Sequence, residues 1–439
     1  MRDHTLPRLS AGAMLLLLAA CGDKSTLPVG ADVGLQPTIK APVKRVIPTV
    51  DIAPAKGWPQ GVVPSTASGL AVKAFASSLD HPRWLHVLPN GDVLVAETNA
   101  PERPDGMKGI KGYIMGKVMA RAGAAVPSAN RITLLRDADG DGVAETKQVF
   151  LKGLNSPFGM ALVGDMLYIA NTDGIVRFPY RSGDLEITAT AQPVAPLPGG
   201  PLNHHWTKNI IASQDGRKLY ATSGSNSNVA ENGMDKEVDR AAILEVDIAT
   251  GKTRLFASGL RNPNGMGWNP QTGALWTVVN ERDELGSDLV PDYLTSVKDG
   301  GFYGWPYSYF GKHVDERVKP PRPDLVDKAL VPDYALGSHV APLGMAFYSG
   351  ALLPQFANGV LIGQHGSWNR KPLSGYNVVF VPFTDGKPSG KPVQVLTGFV
   401  DKNGDALGRP VGVAVDKAGA ILVADDVGNV IWRVTPAGR

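Results

Sequence analysis

Three features of this 439-residue sequence carry side chains suited to chemistry. Arg83, Arg261, Arg370 and Arg409 each stand beside a proline, glycine or asparagine in short polar strings. A guanidinium offers a planar fork of donors that matches carboxylates two bonds at a time. His204 and His205 are adjacent, and an imidazole titrates close enough to neutrality to exchange protons there. Asp137, Asp139 and Asp141 alternate with Ala138, Gly140 and Gly142 in the manner of a calcium loop. The twelfth position of that loop is Gln148 rather than Glu, and no flanking helices are evident. A tight hairpin turn is therefore the competing reading of the acidic run, which is not placed for catalysis.

These residues need a scaffold, and composition narrows it. The formal net charge of +3 forces no strongly basic face, so no nucleic-acid partner is expected. The 51 glycines and 35 prolines make up about a fifth of the chain and fall between short apolar runs, which favours many tight turns and short strands. From about residue 68 a two-strand pattern recurs. It is clearest in Pro82–Val87 with Val93–Glu97, Pro263–Trp268 with Leu275–Val279, and Pro410–Val415 with Ile421–Ala424. Further copies begin at Pro157, Trp206 and Pro342, giving six, with room for two more strands in each interval. Six such units predict an all-β, six-bladed β-propeller of four-stranded antiparallel blades. Leu70–Phe75 precedes the first copy without a local partner, and is expected to close the ring beside Val430–Val434.

In a propeller, residues just before each first strand and just after its hairpin partner meet at one end of the central channel. The upstream set is Arg83, Asn155-Ser156, Asn203-His204-His205, Arg261-Asn262 and Arg409. The downstream set includes Glu97, Asn171, Ser225 to Asn228, Asn280 to Asp283, His365 to Arg370 and Asp425-Asp426. Polar loops cap any propeller, so solvated ends are one reading. Several arginines converging with histidines suit an anionic, polar cofactor better.

The strings Gly224 to Val229, Gly259 to Pro263, Asn280 to Asp283, Gly301 to Pro306, His365 to Arg370 and Gly408 to Gly412 resemble the glucose/sorbosone dehydrogenase family. The match looks closest to its L-sorbosone-dehydrogenase-like branch and runs in order over roughly residues 68–436. The resemblance implies a six-bladed propeller that binds pyrroloquinoline quinone and calcium at one face. It implies arginines for the quinone's three carboxylates, with Arg83, Arg370 and Arg409 as candidates and Asn228 and Asn262 as amide partners. Asn155, His204, Arg261 and His365 complete the implied cofactor set. His205 matches the catalytic histidine, and would take a hydroxyl proton while hydride leaves for the quinone. Calcium is implied at the backbone carbonyls of Glu281 and Arg282, where it would polarise the quinone carbonyl. The insertion Pro201-Leu202-Asn203 before the histidine pair departs from the family pattern. The implied substrate is a sugar or sugar-derived aldehyde, with a quinone or cytochrome as the class of electron acceptor. A non-catalytic surface propeller that binds a protein or glycan, and a calcium-dependent lactonase, remain as alternatives.

Residues 1–21 read as a lipoprotein signal. A charged start is followed by an apolar run too short to span a bilayer, then Leu18-Ala19-Ala20-Cys21. The sole cysteine at the cleavage position resembles a lipobox, and a plain secretory signal is the alternative. The protein is therefore expected to be exported, periplasmic or outer-membrane-associated, and held to a membrane only through a lipid on Cys21. Residues 22–67, with seven prolines, read as an extended linker, and residues 68–439 as the propeller dehydrogenase domain.

Overall fold

The computed structural model describes residues 23–43, 49–102 and 116–438. Cys21 and the apolar run before it lie outside the described residues. Six antiparallel sheets follow one another around a ring. Blade 1 is Pro82–Val87, Val93–Glu97, Arg131–Arg136 and Thr146–Leu151. Blade 2 is Met160–Val163, Met166–Ala170, Gly174–Pro179 and Gln192–Pro196. Blade 3 is Ile210–Ala212, Lys218–Ser223, Ala242–Asp247 and Thr253–Ser258. Blade 4 opens with Asn262–Trp268 and ends with Tyr334–Ser338, while blade 5 opens with Pro342–Phe347 and ends with Val393–Thr397. Blade 6 is Pro410–Val415, Ile421–Asp425 and Val430–Pro436, completed by Leu70–Ala76 from before blade 1. That pairing closes the ring as the sequence predicts.

The first strand of each blade lines the centre, and Pro410–Val415 returns to neighbour Pro82–Val87. Glycine makes this close approach possible. A Cβ on Gly344 would lie 2.2 Å from the Val411 carbonyl oxygen, and one on Gly412 would lie 2.7 Å from that of Arg83. Side chains there would force neighbouring blades apart. Apolar clusters fill the wedges between blades. One contains Trp84, Phe158 and Trp206, with Phe158 edge-on to Trp206 at 6.0 Å between ring centroids.

Two expectations change. The first strand of blade 3 was expected from Trp206 and begins only at Ile210. The Lys208 carbonyl instead accepts the amide of Gly159 in blade 2, and the Asn209 amide bonds the Thr222 hydroxyl. The stretch before residue 68 is extended, as its prolines require, but it is a strap and not a free tether. Val33–Gly34 adds an outer strand to blade 4, and Ser65–Thr66 adds one to blade 5. The backbone amides of Ser25, before the first of these, and of Asp51 and Lys56, between them, hydrogen-bond to the carbonyls of Lys371, Trp368 and Ala406. Among the described residues, no helix is long and apolar enough to cross a membrane.

Candidate active site

The channel mouth holds two polar clusters joined by the loop 365–370. The first centres on Asp426, which is 2 % exposed. Its Oδ2 accepts Nη1 of Arg83 at 2.6 Å and Nε2 of His365 at 2.9 Å, and His81 lies 3.5 Å away. Burial pushes the Asp426 carboxyl up, but the two imidazoles and the guanidinium outweigh it and hold it well below the usual range. Burial lowers the pKa of His365 and takes that of His81 down to about 4. Arg409 completes the cluster, with its guanidinium carbon 4.9 Å from the Tyr376 ring centroid and Nη2 bonded to the Ala53 carbonyl.

The second cluster centres on Asp283. Arg261 donates from Nη2 to Asp283 Oδ2 at 2.9 Å and to Asn228 Oδ1 at 3.1 Å. Asn369 donates to the other Asp283 oxygen at 2.7 Å, and the Trp305 indole pins the Asn228 carbonyl at 2.9 Å. His205 stands beside this cluster. Its Nδ1 lies 2.7 Å from the Ser225 carbonyl oxygen, which can only accept, so Nδ1 carries the proton and Nε2 the basic lone pair. Gly224 permits this seating, since a Cβ there would lie 2.5 Å from the His205 Cβ and 2.3 Å from Asn262 Oδ1.

The same mouth concentrates buried polar atoms that have no partner among the described residues. They are the Nε atoms of Arg83, Arg261 and Arg409, and one oxygen each of Asn262, Asn369 and Asp426. Buried donors and acceptors are nearly always paired, and leaving one unmade costs about 1–3 kcal/mol. Three half-satisfied guanidiniums around one mouth fit a ligand rich in carboxylates. Beside them opens a cleft of about 950 Å³, lined by Arg83, Asn99, Asn155, Ser156, His204 and Trp206 among others. Its size is that of a small-molecule site.

Other expected residues are engaged elsewhere. Arg370 is not gathered with Arg83 and Arg409. Its Nε, Nη1 and Nη2 bond the carbonyls of Ser287 and Pro372 and the hydroxyl of Ser25, so it clasps the strap. The carbonyl of Glu281 receives Nη1 of Arg261, which sets a positive charge where calcium was expected. Arg282 is fully buried, and its side chain ties Glu281 and Asp315 to the carbonyls of Pro306 and Ser308. This arrangement does not fit calcium on that pair of carbonyls. Asp137, Asp139 and Asp141 form a hairpin turn in blade 1, joined by Glu145, with carboxylate oxygens within 4.8 Å of one another. Those carboxylates accept the loop's own amides, from Gly140 and Gly142 onto Asp137 and from Ala138 onto Glu145. The turn lies at the opposite face, near the Arg136–Asp92 pair.

Sequence reasoning missed His81, Tyr376 and the strap. His81 stands two residues before Arg83, a spacing that could have flagged it. Nothing in the sequence of Tyr376 or Ala53 announces their contact with Arg409.

The fold and site define a six-bladed propeller with an arginine- and histidine-rich mouth, which comparison with known proteins relates to a family. The glucose/sorbosone dehydrogenase family model matches residues 170–369, and a TrAA12-like model matches residues 326–437. An uncharacterized protein of Borreliella burgdorferi is 30% identical over 294 residues, covering 64% of this chain and 76% of that protein. The aldose sugar dehydrogenase YliI of Escherichia coli is 29% identical over 113 residues, covering 26% of this chain and 29% of that enzyme. Over residues 170–369, a little under half of its length, the chain matches the glucose/sorbosone dehydrogenase family, and over most of its length it is related to the Borreliella protein. Its fold is shared with the PQQ domain of pyranose dehydrogenase from Coprinopsis cinerea, solved in its holo form. That match has a TM-score of 0.68 at 19% identity, covering 88% of this chain and all of that domain.

Proposed function

We propose that this protein is an exported, pyrroloquinoline-quinone-dependent dehydrogenase that oxidises a sugar or sugar-derived aldehyde. The observation that carries the reading is the set of three guanidiniums, Arg83, Arg261 and Arg409, each with a buried Nε at one channel mouth that has no partner among the described residues. They would hold the carboxylates of the quinone, and the amide oxygens of Asn262 and Asn369, without a donor among the described residues, could accept from an N–H or O–H of a ligand. When bound, the quinone supplies a two-electron acceptor. His205 takes the hydroxyl proton of the donor at Nε2, and its Nδ1–H bond to Ser225 keeps the ring in that tautomer. Asp426 orients Arg83 and His365 and offsets part of the guanidinium's charge. Asn99, Ser128, Asn130 and Asn155 line the cleft and offer hydrogen bonds to a polyhydroxylated ligand. No step is assigned to a metal.

Electrons then pass to a quinone or cytochrome acceptor. A lipid on Cys21 would hold the protein at a membrane on the periplasmic or outer-membrane side. The test is to titrate the purified apo-protein with the quinone, with and without calcium. Dye reduction with a panel of aldoses and sugar aldehydes then follows. Saturable quinone binding and sugar-dependent reduction are expected, and a protein that does not bind the quinone overturns the reading.

A further inference from the structure

The strap meets the channel mouth at the buried Arg409. Ala53 is fully buried, and its carbonyl accepts Nη2 of Arg409 at 3.2 Å. Trp58 donates from its indole Nε1 to Asp425 Oδ2 at 2.7 Å. Oδ1 of the same carboxylate accepts the backbone N–H of Arg409 at 2.8 Å. Upstream, Asp51 pairs in parallel with Asn369, and its amide bonds the Trp368 carbonyl at 2.9 Å. Residues 51–58 therefore grip Arg409 at its side chain and, through Asp425, at its backbone.

We propose that Trp58 is a positioning residue for Arg409, which makes the strap a working part of the anion site. This rests on the cofactor reading above. Asp425 is fully buried and is faced by the indoles of Trp58 and Trp432 and the amides of Gly428 and Arg409. Burial pushes its pKa up to about 6, and these four donors oppose that rise by favouring the ionised form. Removing the Trp58 donor shifts Asp425 toward the protonated form and loosens its hold on Arg409. An arginine that is not held must be ordered by the ligand, and binding weakens. By linkage, a ligand that engages Arg409 must also steady the strap.

Trp58→Phe tests this in the full chain. Phenylalanine keeps an aromatic ring against Phe399 and Trp432, which Trp58 meets edge-on, and removes the donor together with part of the indole's packing. Apo-protein is titrated with pyrroloquinoline quinone alongside Arg409→Ala. Trp58→Phe is expected to bind about 5–10-fold more weakly at neutral pH, with a smaller loss than Arg409→Ala. The ratio of wild-type to variant affinity is expected to change with pH, because the variant's Asp425 protonates at higher pH than the wild type's. A purely structural role for Trp58 leaves that ratio flat. In the wild type, the quinone is expected to slow amide exchange at residues 49–58. Unchanged affinity in Trp58→Phe, with binding lost in Arg409→Ala, overturns the proposal. Unchanged affinity in both variants overturns the cofactor reading and the proposal with it. Should Trp58→Phe not fold, absence of quinone-dependent protection at 49–58 in the wild type overturns it.

Discussion

Arg83 donates from Nη1 to Oδ2 of Asp426 at 2.6 Å, while its Nε stays buried without a partner among the described residues. The other oxygen of Asp426 is also unpaired among them. A self-contained buried pair would use its donors and acceptors against each other, because a lone buried charge is costly. This pair is half made, and the cleft opens against it.

Arg83→Lys keeps the charge opposite Asp426 but removes the guanidinium fork. Quinone affinity is expected to fall by on the order of 1.5–3 kcal/mol, at least about tenfold, while the thermal midpoint changes little. Titration of the apo-protein together with a melting curve checks both. Full affinity in the variant would take Arg83 out of the site.

Arg370→Ala is expected to act on the strap and not on the cofactor. Its three nitrogens bond Ser287, Pro372 and Ser25, so truncation frees residues near 25 and lowers stability. The expected loss is about 1–3 kcal/mol, with a smaller effect on quinone affinity than Arg83→Lys. Faster proteolysis of the strap with near-normal titration is the expected pattern. The reverse pattern would return Arg370 to the cofactor set.

The contrast between Arg83 and Arg370 shows what the sequence could and could not reveal. Propeller topology alone puts both at the channel mouth, since one stands at the start of a first strand and the other follows a second. Alternating apolar runs and turn residues made the six blades and the closing strand readable. Where a long side chain points depends on contacts far away in sequence. Arg370 is captured by Ser25, 345 residues away, and Arg261 by the Glu281 carbonyl. The strap hid for the same reason. Its prolines specify an extended backbone, but the docking surfaces that order it lie on blades 4 to 6.

His81 links stability to pH. Burial takes its pKa down to about 4, whereas an unfolded histidine titrates near 6.5. The unfolded chain therefore binds the proton first on acidification. The stability gained by keeping His81 neutral is full above pH 6.5 and is lost as pH falls through 4, an effect bounded at about 3 kcal/mol. Asp425, raised to about 6, works in the opposite sense and loses its contribution as pH rises through that value. His81→Gln is expected to show a shallower fall in melting temperature between pH 7 and pH 4 than the wild type. Parallel curves would show that His81 does not control the acid limb.

The proposed export and anchoring rest on Cys21. Cys21→Ser is expected to leave the precursor unprocessed or to release the protein from the membrane fraction. Fractionation of cells, with metabolic labelling by a fatty acid, distinguishes the cases. A serine variant that stays as firmly bound as the wild type, without label, would show that another feature holds it.

The two histidines divide the proposed chemistry between them, and the structure separates their surroundings. His204 lines the cleft with Arg83 and Trp206, whereas His205 is fixed by Ser225 beside Asn262. A general base acts mainly in the transition state, so His205→Ala is expected to lose at least about 100-fold in turnover with quinone affinity nearly intact. Ser225 bonds the His205 ring through its carbonyl at 2.7 Å and its hydroxyl at 3.1 Å. Ser225→Ala removes only the second bond, so it is expected to reduce turnover far less than loss of the ring. His204→Ala is expected to raise the sugar KM more than it lowers kcat, because its position is on the cleft wall. All three variants are compared at saturating quinone over a range of pH. Near-normal turnover in His205→Ala with collapse in His204→Ala would exchange the two roles. Normal turnover in both would remove histidine base catalysis from this site.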